Sequence, residues 1–117
     1  MRLRHKPAGE GSSVLATSVD LAESMLSQVR GLMFRRSFPD GSALVFRFDG
    51  ATSRDVHMLF VFFPIDVVWV VDREVTRVER LQPWRGFARA EADTIVELPA
   101  GAADDVEEGD RLFLEET

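Results

Sequence analysis

The sequence predicts an α+β domain: a mainly antiparallel β-sheet curled into a barrel-like sandwich, with one main amphipathic helix. Three observations lead there. Residues 18–33, SVDLAESMLSQVRGLM, place Leu21, Met25, Leu26, Val29 and Met33 at helical spacing. From residue 42 onward the apolar period changes to two, in short β-branched and aromatic runs divided by glycine, proline and aspartate. Few parallel crossovers are available between those runs, because one helix cannot bridge many of them.

In chain order, residues 1–12 mix charge with Pro7, Gly9 and Gly11, which predicts a loose N-terminal arm on a single domain of residues 1–117. A short strand follows at 13–17. The helix then starts on Ser18 or Asp20 as N-cap, with Glu23 placed to close a capping box on Asp20, and ends near Gly31. Residues 42–48 alternate Leu44, Phe46 and Phe48 against Val45 and Arg47, a half-buried strand that DGATS at 49–53 turns. The apolar runs 54–60 and 65–71 are split by Phe62, Phe63 and Pro64, since proline cannot donate to a sheet ladder.

In the second run Val67 and Trp69 fall on one face and Val68 and Val70 on the other, so both faces need a cover; the helix at 20–32 is the expected one. Asp72 and Arg73 make a tight hairpin to a strand at 74–81, without the glycine that such turns favour. A loop at 82–92 leads to a strand at 93–98. Residues 99–110 read as a short turn of helix and a tight turn before a last strand at 111–116.

The size suits one core, and 45% hydrophobic residues describe an ordinary globular chain. Cysteine is absent, which excludes disulfides, thiolate zinc sites and a cysteine nucleophile. With His5 and His57 alone, a multi-histidine metal site is not expected, and no cofactor is indicated. The basic start lacks an apolar run behind it, so a cytoplasmic protein without a secretory signal is expected. The apolar block at 56–72 is too short to span a bilayer and contains Pro64 and Asp66.

Formal charge runs from +3 over residues 1–36, through zero over 37–90, to −9 over 91–117, a total of −6. That balance counts against nucleic acid and anionic lipid as partners. The many arginines beside the single Lys6 resemble the archaeal-like bias of salt-adapted or GC-rich proteomes.

Within the apolar block, His57 reads as a structural residue and Pro64 as architectural. Asp66 must be solvated, paired or hydrogen-bonded, because an unpaired buried charge costs several kcal/mol. It either caps the bulge at Phe63 and Pro64 by accepting backbone N–H bonds or pairs with an arginine at a pocket rim. Arg30, Arg35 and Arg36 cluster at the helix end, suited to the helix dipole or to an anion. Trp84 and Arg85 make an aromatic and cationic loop that suits ligand stacking or plugs a barrel end. Glu97 with Asp66 is a candidate acid/base pair, but no catalytic motif accompanies it.

The ordered set 30-RGLMFR-35, 43-ALVF-46 with Phe48, Met58 with 64-PID-66, 83-PW-84, 96-VELPAG-101 and 109-GDRL-112 resembles the bacterial and archaeal family called domain of unknown function 192, over residues 14–114. The resemblance implies a compact, mostly β fold with one helix and no established activity. It marks Arg30 and Gly31, Pro64 and Asp66, and Glu97. Many members carry Trp-Met-Lys-Asn-Thr before the proline; here the segment is 57-HMLFV-61, with Leu59, Phe60 and Val61 replacing the polar triplet.

The functional reading is a non-catalytic binding or accessory module for a small polar or anionic ligand, or for a protein partner. Its site residues are Arg30, Arg35, Asp66, Trp84, Arg85 and Glu97, where helix end, Asp66 turn and Trp84 loop converge. Two other classes stay open: a hydrolase or lyase with Asp66 or Glu97 as base and Arg30 as anion holder, and a protein-interaction domain presenting an acidic C-terminal strand.

Overall fold

The apolar run Ile65–Val71 becomes the centre of a sheet in a computed structural model that describes residues 1–9, 11–22 and 32–116. The strands in chain order are β1 (Arg2–Lys6), β2 (Ser13–Ala16), β3 (Ser18–Leu21), β4 (Ser42–His57), β5 (Ile65–Val71), β6 (Glu74–Leu81), β7 (Phe87–Pro99) and β8 (Arg111–Glu115). They form one sheet in the order β2-β1-β8-β6-β5-β7-β4-β3. All neighbours are antiparallel except β3 and β4, which run parallel with Asp20 opposite Leu44.

β5 is hydrogen-bonded on both sides, with Val68 opposite Val78 of β6 and Val96 of β7. Its β-branched side chains suit a pleated strand covered on both faces, and every residue from 65 to 70 is buried. Val67 and Trp69 enter one core with Leu44, Phe46, Met58 and Ile95. Val68 and Val70 enter a second with Leu3, Val45, Val96 and Leu112. The two covered faces expected from the sequence are therefore present.

Among the described residues, the covers come from the long strands and from the segments at 32, 61 and 103–106. β4 and β7 are long strands, and between Arg47 and Thr52 the register slips so that five steps on β4 match two on β7. Such a bulge bends a ladder, and the far half of the β4–β7 pair brings Val56, Ala88 and Ala92 into the first core. Arg54 clasps the bend: its guanidinium donates to the carbonyls of Ala92 and Gly50, both at 2.8 Å, and lies 3.7 Å from the Phe48 ring centroid. The turn expected at 49–53 is thus a bulge inside one strand. Leu32 and Val61 also join this core, while Ala103 and Val106 from the segment before β8 complete the second.

Other expectations are corrected. The described residues contain no helix, so the α+β class does not hold, and β2 and β3 at the two edges are not paired, so the sheet is not closed into a barrel. The body of the expected helix, residues 23–31, lies outside the described residues. Its expected start is a strand: Leu21, counted in the helical stripe, also stands two residues from Val19, and pairing with β4 selects the extended form. After Pro99, the last residue of β7, residues 100–110 make turns without helix.

Arg2–Lys6, expected as a loose arm, is paired on both sides by β2 and β8. β8 consequently lies inside the sheet, where Glu115 pairs with Arg2 and Arg4. The hairpin at Asp72 and Arg73 forms as expected; both residues have positive φ, 49° and 69°, and the Asp72 N–H donates to Asp93 Oδ2 at 2.8 Å.

His5, 3% exposed, meets Asp110 with Nε2 2.8 Å from Oδ2. Burial pushes the Asp110 carboxyl up, but hydrogen bonds from His5 and from the Glu107 and Ala8 amides outweigh it and hold the carboxyl below its usual range. The pair ties the first strand to the turn that precedes the last.

Candidate functional site

Asp66 and Glu97, paired as candidate acid and base in the sequence, point to opposite faces of the sheet. Glu97 stands directly across from Val67, and neighbours along a strand alternate, so Asp66 faces the other way with Leu98. No shared carboxylate site forms.

Asp66 is fully occupied. Arg80 Nε donates to its Oδ1 at 2.8 Å, and the amides of Gly101 and Ala103 donate to Oδ2 at 2.9 and 3.0 Å. Arg80 also reaches Asp104, and these two carboxylates raise its affinity for its proton further. Asp66 therefore caps the segment after β7, not the bulge at Phe63 and Pro64, and its arginine is a cross-strand neighbour. Asp66→Ala is expected to cost about 1–3 kcal/mol, because the buried Ala103 amide loses its acceptor. Urea denaturation measures it; a variant as stable as the parent would mean that Ala103 and Val106 dock this segment by packing alone.

Glu97 is only 7% exposed, on the face of the first core. Its cross-strand neighbours are Leu44 and Val67, and no described residue donates a hydrogen bond to it. Burial pushes its carboxyl up to about 7, with the Arg35 charge acting in the opposite direction. A protonated or charged Glu97 is thus set by small changes near it.

Arg35 itself is exposed and follows Phe34, which with Phe60 and Phe62 joins the expected Trp84 in a cluster whose phenylalanines sequence reasoning missed. Phe34 stacks on Phe60 with ring centroids 4.9 Å apart; Phe60 meets Trp84 edge-on at 5.2 Å; Phe62 meets Trp84 at 5.7 Å. All four rings remain exposed, Trp84 at 47% and Phe60 at 41%, and Leu59 and Phe87 are exposed too. The Phe34 amide donates to the Phe60 carbonyl at 2.8 Å and the Trp84 amide to the Met58 carbonyl at 3.0 Å. Phe34, Phe60 and Trp84 have φ of 66°, 61° and 68°, a left-handed conformation that bulky residues rarely adopt.

Gly86 makes the close approach possible. A Cβ there would lie 2.7 Å from Met58 Cγ and from Leu81 Cβ, and the Gly86 carbonyl accepts from the Met58 amide at 3.0 Å. Trp84 is therefore brought to the aromatic cluster, with the exposed Arg85 next to it in the chain; Asp66 is not, and Arg30 lies outside the described residues. His57 is exposed at the end of β4, where its Nδ1 accepts from the Leu59 amide at 3.3 Å.

The family profile described as Uncharacterized ACR, domain of unknown function 192, matches residues 6–114. The chain belongs to this family. Two UPF0127 proteins, from Thermococcus gammatolerans and Thermococcus kodakarensis, are each 31% identical to it over 98 residues, or 80% of the chain. The chain spans 64% and 62% of those relatives, less than two-thirds of their length.

Among solved structures, a proposed transcription regulator from Sinorhizobium meliloti superposes with a TM-score of 0.84 at 23% identity, covering 96% of this chain and 91% of that one. A protein of unknown function from Novosphingobium aromaticivorans gives 0.80 at 21%, covering 97% and 84%. At such identity the likeness is one of fold.

Domain of unknown function 192 carries no assigned activity, and the resemblance read from its motifs holds over nearly all of the chain. The sequence signal for the cluster, unused in the reading above, is the departure from the family pattern. Polar residues expected after Met58 are replaced by Leu59 and Phe60, and those two side chains stay exposed instead of joining the core. No described helix is long and apolar enough to cross a membrane.

Proposed function

We propose that this member of the family is a non-catalytic binding module whose recognition surface is the platform of Phe34, Phe60, Phe62 and Trp84, with Arg35 and Arg85 at its edges. The observation that carries the reading is the exposure of four mutually packed rings from three separate segments. Exposed apolar patches with a charged rim are where proteins meet ligands or partners. Left-handed backbone at three of the cluster's residues costs on the order of 1–3 kcal/mol each, a strain that a merely structural surface has no use for. The ligand that fits is flat and apolar with an anionic substituent: rings stack on rings, and a guanidinium forks onto a carboxylate or phosphate.

Amide NMR with 2-naphthoate as probe tests this. Shifts are expected at residues 60–62 and 84–86. Two aromatic contacts at about 0.5–1.5 kcal/mol each predict that Phe60→Ala with Trp84→Ala weakens binding roughly five-fold or more. The exposed positions should leave the denaturation midpoint nearly unchanged. Absence of binding, shifts elsewhere, or an unaffected double variant overturns the reading.

A further inference from the structure

Two turns beneath the aromatic platform are built alike. In 32–35 and 58–61 the amide of the fourth residue donates to the carbonyl of the first, at 3.2 and 3.1 Å. Phe34 and Phe60 take the third position with φ of 66° and 61°, where a type II turn favours glycine. Leu32, Met58 and Val61 are buried, so each turn is anchored while its tip stands in solvent. Leu59, 52% exposed, is the other tip residue of its turn. The Phe34 and Trp84 amides, donating to the carbonyls of Phe60 and Met58, hold the tips of three segments together. Among the described residues, every exposed large apolar side chain except Val14 lies at 34, 59–62 or 84–87.

The charge of these segments is opposite to that of the chain. Residues 32–39, 56–65 and 82–88 contain Arg35, Arg36 and Arg85 and neither aspartate nor glutamate, a formal +3 within a chain of −6. All three arginines are exposed. Of the acids that border the segments in sequence, Asp55 pairs with Arg89 and Asp66 with Arg80, which leaves Asp40. Glu97, near enough to feel the Arg35 charge, is buried. Exposed charges farther off than about 8 Å are largely screened at physiological salt. The overall acidity that counts against anionic lipid is therefore not the charge of this surface.

We infer that these segments dock the protein on an anionic bilayer, with Leu59 and the rings at the boundary of headgroups and acyl chains and the arginines on the lipid phosphates. The inference rests on the reading of the platform as the recognition surface and names its partner. Rings and aliphatic tips enter that boundary while neighbouring cations stay with the headgroups. Each cation held at an anionic surface raises partitioning roughly five-fold, so three raise it about a hundred-fold. Single-stranded nucleic acid also stacks on rings beside cations, but an aliphatic tip such as Leu59 gives it nothing to stack on.

Vesicles of phosphatidylcholine and phosphatidylglycerol in equal parts are the probe, with the whole chain at neutral pH. Trp69 is wholly buried and Trp84 is 47% exposed, so a blue shift of tryptophan emission on binding reports Trp84. Vesicles of phosphatidylcholine alone should bind at least ten-fold more weakly. Leu59→Ser should weaken partitioning roughly five-fold or more, with the parent's denaturation midpoint and the parent's affinity for 2-naphthoate. If naphthoate binds and the vesicles do not, the platform reading stands and this inference falls; if neither binds, both fall. If the vesicles bind as described and naphthoate does not, the bilayer is the partner and the flat ligand is not. Equal binding to phosphatidylcholine alone, an unaffected Leu59→Ser, an oligothymidylate that binds more tightly than the vesicles, or a dimer in buffer that Leu59→Ser dissociates also overturns it.

Discussion

Trp69→Ala is expected to remove about 3–5 kcal/mol of stability, the range for truncating a large side chain in a packed core. Trp69 is wholly buried on the central strand, so truncation leaves a cavity that rigid sheet neighbours cannot fill. Its indole N–H also donates to the Arg54 carbonyl at 3.0 Å, which fastens the bent half of β4 over the core, and the Arg77 guanidinium stands 5.8 Å from its ring. Losing the ring therefore loosens the bulge as well as emptying the core. Chemical denaturation with the slope held free measures it. Trp69→Phe, which keeps much of the volume and loses the hydrogen bond, should fall between. A Trp69→Ala variant within about 1 kcal/mol of the parent would mean that the far half of the β4–β7 pair does not cover this face.

Glu97→Gln should make the protein more stable above neutral pH. Burial raises the folded-state value from 4.5 to about 7, so the group's stabilising contribution is fully present below 4.5 and is lost as pH rises through about 7. At pH 8 the parent therefore holds a buried charge costing about 3 kcal/mol. Glutamine has the shape of the protonated acid and no charge. The variant should gain up to that amount at pH 8 and match the parent near pH 5. Arg35→Ala moves the other way, removing the cation that favours the charged form. A pH series of denaturation midpoints separates these cases, and parallel curves for parent and Glu97→Gln would place the carboxylate in solvent. Asp110 bounds the series from below: its lowered value adds stability that is present above the ordinary aspartate value and is lost as pH falls.

Much of the sheet is legible in local pattern. The β-branched run at 65–71, the two-residue turn at Asp72 and Arg73 and the last strand at Arg111–Glu115 all follow from a period of two and from where that period stops. The need for Asp66 to find partners follows from burial cost alone, since a carboxylate among valines must be satisfied whatever the fold. Family membership is also written in the ordered motifs, because no packing is needed to read them.

The remainder depends on pairing between distant segments. Leu21 fits a helical stripe with Met25 and equally a strand with Val19, and hydrogen bonds to β4, more than twenty residues on, decide for the strand. Whether Asp66 and Glu97 share a face is a matter of register between β5 and β7; a slip of one residue reverses the answer, and no local pattern fixes it. The partners of Asp66, the amides of Gly101 and Ala103, are set by where the chain turns after β7. Leu59, Phe60 and Phe62 look like core because hydrophobicity is a property of the residue, whereas exposure is a property of what lies opposite. In this fold the turn at Met58 and the loop ending at Gly86 pack on each other through backbone and leave the rings outside, so the tertiary structure alone turns an apolar run into a surface.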